Sequence, residues 1–144
     1  ASIFFLGRGL DYAAAMEASL KLKELSYLHS EAYAAGELKH GTISLIEEGT
    51  LVVAMATQPE LYEKTISNIR EVTSRGAEVV LVASEDFEGD TSYCSYVVRL
   101  PKIPHMFTPS LSIVPLQLLA YYIAVERSCD VDKPRNLAKS VTVE

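Results

Sequence analysis

The sequence predicts an α/β domain, a doubly wound parallel sheet flanked by helices in a three-layer, flavodoxin-like sandwich, and two observations carry that prediction. Short apolar runs alternate along the chain with longer helical patterns, which implies right-handed βαβ units and a parallel sheet. The runs themselves are continuous in Val, Ile and Leu instead of alternating with polar residues, as strands covered on both faces are. A chain of 144 residues that is 49% hydrophobic has enough material for one substantial core, so one domain is expected.

The elements follow in order. "SIFFLG" opens as a buried strand, and Gly7 and Gly9 make a tight turn into a helix from Asp11 to about Leu28, with Asp11 as its N-cap. "AYAAGELKHG" holds a short helical turn that Gly36 opens. "TLVVAMA" is the second apolar run, followed by a helix over "ELYEKTISNIREVTSRG" that Gly76 ends in the manner of a C-cap glycine. "EVVLVAS" and "SYVVRLP" are two further strands, and "SLSIVPLQLLAYYIAVER" a last helix. The final "DKPRNLAKSVTVE" has no helical amphipathicity and reads as a tail that packs on something or carries something. Residues 1–131 are therefore taken as the domain and 132–144 as the tail. The chain runs directly into a buried strand with no initiator Met and no leader, as an excised piece of something longer would.

Composition bounds the function. A net charge of -6 and an isoelectric point near 5.1 argue against nucleic acid or an anionic membrane, which are bound through clustered Lys and Arg. The longest apolar stretch, Ile113 to Val125, is about 13 residues and falls short of the roughly 20 needed to span a bilayer, so a soluble protein is expected. Cys94 and Cys129 stand alone and the three histidines are scattered. That pattern offers no disulfide framework and no metal motif, and points to a reducing, cytoplasmic setting.

Four features carry chemistry. Gly7-Arg8-Gly9 after a strand invites a dinucleotide reading, but Tyr12 stands where the third small residue belongs and Asp11 puts a carboxylate where a pyrophosphate would sit; a plain βα turn fits better. Along "MEASLKLKELSYLHSE", Glu17, Lys21 and Glu24 recur at i, i+4 and i+7 and form one charged stripe. Met16, Leu20 and Tyr27 flank one edge, Ala14, Leu25 and Leu28 the other, while Ser19, Lys23 and Ser26 make an opposite polar face that reads as the solvent side. A stripe bracketed by apolar residues suits a partly desolvated cleft, where two carboxylates around a lysine would have perturbed proton affinities; the plainer reading is a run of ion pairs on an exposed helix. His40, between Lys39 and Gly41, is a candidate general acid or base at a turn, or simply an exposed side chain. His29 and His105 have only structural readings. Lys139 in the tail would need burial or a cationic neighbour to act as a nucleophilic amine, and nothing local supplies either.

The runs "FFLGRGLDYAAAMEASLKLKELSYLHSEAYAAGELKHG" and "DVDKPRNLAKSVTVE" closely resemble the C-terminal sugar isomerase (SIS) domain of the glutamine:fructose-6-phosphate amidotransferase family, over essentially the whole chain. Its most specific parts are "EAYAAGELKHG" and "PRNLAKSVTVE". Members of that family make glucosamine 6-phosphate from fructose 6-phosphate and glutamine-derived ammonia, using a glutaminase domain and two tandem SIS subdomains, of which this chain resembles the second. The resemblance implies that Glu24 moves a proton between C1 and C2 of the sugar. It implies that Lys139 forms an imine at C2, that His40 opens the sugar ring in the neighbouring subunit of a homodimer, and that Glu17 and Lys21 support them. No cofactor or metal is implied. The Ser/Thr-rich phosphate loop of the first subdomain has no counterpart after a strand here, so the chain alone is expected to be inactive. The alternative is a non-catalytic phosphosugar-binding SIS module of the kind found in regulators, which has no need of an imine-forming lysine.

Overall fold

A computed structural model describes residues 2–135 of the chain. Five strands form one parallel sheet: β1 (Ser2–Gly7), β2 (His29–Ala34), β3 (Leu51–Ala56), β4 (Glu78–Ser84) and β5 (Tyr96–Leu100), in the spatial order β2-β1-β3-β4-β5. Three helices flank it: α1 (Leu10–Ser26), α2 (Tyr62–Thr73) and α3 (Thr108–Glu126). The sheet separates two cores. On one side Ala14, Ala15, Ala18 and Leu22 of α1 and Leu116 and Ala120 of α3 meet Phe5, Val53 and Met55. On the other, Ile66, Ile69 and Val72 of α2 join Leu38 and Ile46 over Phe4, Val52 and Leu81. The doubly wound reading therefore stands, with α1 and α3 in one layer and α2 in the other.

The central strands behave as their composition requires. Val52 and Val53 are both fully buried although their side chains point to opposite faces. α1 approaches closely because its buried positions are mostly small, Ala14, Ala15, Ala18, Ser19 and Ser26 among them, and because Gly7 has no side chain: a Cβ there would lie 2.5 Å from the carbonyl carbon and oxygen of Asp11. Gly9 takes φ +57°, a conformation that favours glycine, to turn the chain into the helix.

Several expectations need correction. β2 was not among the expected strands. "HSEAYA" contains no Val or Ile, and it pairs only with β1 at the sheet edge. α1 accordingly ends at Ser26, not Leu28, with Tyr27 as its left-handed cap. The presence of β2 also overturns the solvent-face assignment for Ser19 and Ser26 on α1, while Lys23 is exposed as expected. Ser19 and Ser26 are buried, because the Ser30 hydroxyl donates to the Ser19 carbonyl at 2.9 Å and lies 3.0 Å from its hydroxyl, while the Ser26 hydroxyl donates to the Leu22 carbonyl at 2.6 Å. Small hydroxyls bonded in this way are compatible with a core. β5, expected to be covered on both faces, is an edge strand with Tyr96 70% exposed. Asp11 is not the N-cap. Gly9 occupies that position, and the Asp11 side chain is committed elsewhere.

By length and composition one helical stretch, His105–Glu126, is apolar enough to cross a membrane, longer than the 13-residue run suggested. In this fold one face of it packs on α1 through Leu116, Ala120 and Ala124.

Candidate active site

The charged stripe forms as its spacing requires. Glu17, Lys21 and Glu24 project together from α1, with the Lys21 ammonium 2.7 Å from Oε2 of Glu24 and 3.5 Å from Oε1 of Glu17. Exposure falls along the stripe, from 45% for the Glu17 side chain to 32% for Lys21 and 24% for Glu24. The hydrogen bond to Glu24 pushes the Lys21 ammonium above its ordinary range against the opposing effect of burial, with the charges of both carboxylates adding to it. Lys21 thus stays charged. At the upper end of the stripe Glu17 borders a groove of about 270 Å³ between α1 and the start of α3, lined with it by Ala13, Ala14, Pro109, Ser110 and Ile113. Glu17 is the stripe residue that lines this groove, while Lys21 and Glu24 are partly exposed further along the helix.

His40 lies in the other layer. It ends a 3₁₀ segment, Ala35–His40, whose Ala35 and Leu38 are buried against the α2 core. Lys39 pairs with Glu71 of α2 at 2.8 Å. The imidazole itself is 73% exposed, with Nε2 3.9 Å from Glu37. Within one chain the sheet therefore stands between His40 and the α1 stripe. Lys139 lies outside the described residues.

A second polar constellation, missed in the sequence, occupies the C-terminal ends of the strands, where open α/β sheets bind ligands. Asp11, 2% exposed, reaches from α1 to the end of β3. The Thr57 N–H donates to its Oδ2 at 2.9 Å and the Thr57 hydroxyl to its Oδ1. The amide of Gln58 donates to the hydroxyls of Thr57 at 3.0 Å and Thr108 at 2.9 Å, and the Thr108 hydroxyl donates to the His105 carbonyl at 2.8 Å. Burial pushes the Asp11 carboxyl above its usual value, against the two bonds from Thr57. The carboxylate takes the backbone donor that an anionic ligand would use at this crevice. Beside it a cavity of about 380 Å³ is lined by Thr57, Tyr62, Ser84, Asp86, Lys102 and His105, among others. There the Ser84 hydroxyl and the Lys102 ammonium, 3.1 Å away, hold the Asp86 carboxyl below its ordinary range. The available sequence signal was the pair Thr57-Gln58 directly after an apolar run. Its partner Asp11 is 46 residues distant, and no local pattern joins them.

A parallel 2-1-3-4-5 sheet with a charged helix face beside a groove defines a class, and the SIS domain family profile matches residues 1–127; the chain belongs to the SIS domain family. Among its relatives, the glutamine-fructose-6-phosphate aminotransferase (isomerizing) of Clostridium tetani is 62% identical over 142 residues, which is 99% of this chain and 23% of that protein. The enzyme of the same name from Methanosarcina acetivorans is 58% identical over 143 residues, again 99% of this chain and 23% of the relative. The C-terminal domain of glucosamine-fructose-6-phosphate aminotransferase from Francisella tularensis superposes with a TM-score of 0.86 at 40% identity, covering 92% of this chain and 37% of that one. The chain thus spans about a quarter of the length of the curated relatives it matches.

Proposed function

We propose that this domain is the isomerase half-site of a glucosamine-6-phosphate synthase, converting fructose 6-phosphate and glutamine-derived ammonia to glucosamine 6-phosphate within a longer chain. The observation that supports it most is Lys21 held between Glu17 and Glu24, with Glu17 lining a groove between α1 and α3, in a chain 62% identical over 142 residues to an isomerizing aminotransferase.

The residue types suit the chemistry. The neutral amine of Lys139 adds to the C2 carbonyl of the open-chain ketose, water leaves, and the imine nitrogen takes up a proton from solvent, giving an iminium that withdraws electrons from C1 better than the ketone does. Ammonia then displaces the lysine nitrogen at C2, so the nitrogen kept in the product comes from glutamine. Glu24 takes a proton from C1 and returns it to C2, which leaves the aldehyde at C1 and the amine at C2. Lys21 orients Glu24 through their 2.7 Å hydrogen bond, and Glu17 shares that cation. Its positive charge on this face also favours loss of the Lys139 proton. His40 opens the sugar ring. Since the sheet separates it from the stripe of its own chain, it serves the site of a second subunit, and the working unit is a homodimer. The phosphate is anchored by the other SIS domain of the parent chain, because the strand-end donor of this domain is already bonded to Asp11. A soluble cytoplasmic protein, with no role for nucleic acid or membrane, fits this assignment.

Borohydride reduction of the full-length protein with fructose 6-phosphate should trap a covalent adduct that peptide mapping places on Lys139. An adduct on Lys21 would move the nucleophile to the helix. No adduct, together with full activity in Lys139→Arg, would reject the imine.

A further inference from the structure

Tyr27 closes α1 at φ +59°, the left-handed region that a Cβ resists and glycine adopts freely. The bond that this cap needs, from the Tyr27 N–H to the Lys23 carbonyl at 3.1 Å, would form equally well with glycine. What glycine could not supply is the ring. The phenol oxygen accepts the backbone N–H of Arg135 at 2.8 Å, and the Arg135 guanidinium lies 4.1 Å from the ring centroid, within cation–π range. The chain is guided to this contact from the end of α3. Arg127 Nε donates to the Ser26 carbonyl at 3.0 Å, and the Asp130 carboxylate accepts the N–H groups of Asp132 and Lys133 at 3.1 and 3.0 Å, forming a turn of the Asx type. The entry to the tail is thereby fastened to the C-terminal end of the helix that carries Glu24.

We propose that Tyr27 is the anchor of the C-terminal tail and a positioning residue for Lys139, retained in a strained cap because its ring and hydroxyl hold Arg135. This rests on the reading of Lys139 as the imine-forming amine. Lys139 follows Arg135 by four residues, a tether of about 14 Å at full extension. Glu24 precedes Tyr27 by three residues, about 4.5 Å of helix rise, so the tether is long enough to bring the amine to the stripe. Without the anchor, the next hold on the domain among the described residues is at Cys129, whose N–H donates to the Ala124 carbonyl at 2.9 Å, ten residues before Lys139. Because effective concentration falls at least as the three-halves power of tether length, a tether two and a half times as long costs about fourfold. Lost register at the reacting carbon raises that toward about 10²-fold.

The test compares Tyr27→Gly, Tyr27→Phe and Lys139→Arg in the full-length protein, reading thermal unfolding and the rate of borohydride-trapped adduct formation with fructose 6-phosphate. Tyr27→Gly relieves the backbone strain, so it should unfold at the same or a higher temperature while trapping falls by about four- to a hundredfold. Tyr27→Phe keeps the ring, loses the Arg135 hydrogen bond, and should show a smaller fall at unchanged Tm. A purely structural tyrosine would not separate stability from trapping. Should Tyr27→Gly lower Tm, Tyr27→Phe decides: unchanged trapping in it overturns the proposal. Wild-type trapping in Tyr27→Gly also overturns it while leaving Lys139 in its role. Absence of any adduct in the unsubstituted protein, with full activity in Lys139→Arg, overturns the underlying reading instead.

Discussion

Glu24 receives the Lys21 ammonium at 2.7 Å, one helical turn apart on α1, and is the less exposed of the two carboxylates that Lys21 serves. That asymmetry fits Glu24 as the base and Glu17 as its support. Glu24→Gln in the full-length protein keeps size and hydrogen-bonding capacity and removes basicity. Turnover should fall by about 10²-fold or more, the usual scale for losing a general base, with KM for fructose 6-phosphate nearly unchanged. Near-wild-type turnover would return the stripe to a plain run of ion pairs.

Lys21→Met leaves Glu17 and Glu24 as like charges about two turns apart on one helix face and removes the positive field from the stripe. Because both pairs are partly solvated, stability should change by less than about 1 kcal/mol. Turnover should fall at least tenfold, since the Glu24 carboxylate loses the partner that orients it. Equal losses in stability and turnover, measured by urea unfolding and steady-state kinetics, would make Lys21 a structural residue only.

What could be read in the sequence was local. The stripe follows from a spacing of four and three residues on one helix, and β1, β3 and β4 from apolar runs that need no partner to be recognised. What could not be read depended on contacts across the chain. Ser19 and Ser26 look like solvent residues on a helical wheel until Ser30 and the Leu22 carbonyl bond to them. β2 holds its place by pairing with β1, not by its own propensity. His40 could be recognised as a candidate, but its layer is set by the packing of Leu38 against α2. The left-handed conformation of Tyr27 has no sequence signature at all, since glycine is the residue expected there.

Asp11 should make the stability of this domain pH-dependent in a direction unusual for a carboxylate. Burial raises its proton affinity in the folded state despite the Thr57 bonds, while the unfolded chain titrates near the ordinary value of about 3.9. A raised folded value means the native state binds the proton more tightly. The stabilising contribution is therefore complete below about pH 3.9 and is lost as pH rises through the folded value. Asp11→Asn cannot titrate. In urea unfolding at intervals from about pH 3.5 to 7, the stability advantage of the unsubstituted chain over Asp11→Asn should shrink as pH rises. An advantage that grows with pH would show that the two Thr57 hydrogen bonds outweigh burial.

The separation of His40 from the α1 stripe by the sheet allows the dimer to be tested by complementation. His40→Ala and Glu24→Gln full-length proteins should each be nearly inactive. Unfolded together in equal amounts and refolded, half of the dimers contain one subunit of each kind when association is random. In such a dimer the site built on the Glu24 of the His40→Ala subunit receives an intact His40 from its partner, and the other site lacks both groups. One site in two is then restored in half of the dimers, so about a quarter of wild-type activity should return. Recovery on this scale requires that His40 act across the subunit boundary. If His40 served its own chain, every site in the mixture would still lack one group, and activity would stay at the level of the separate variants.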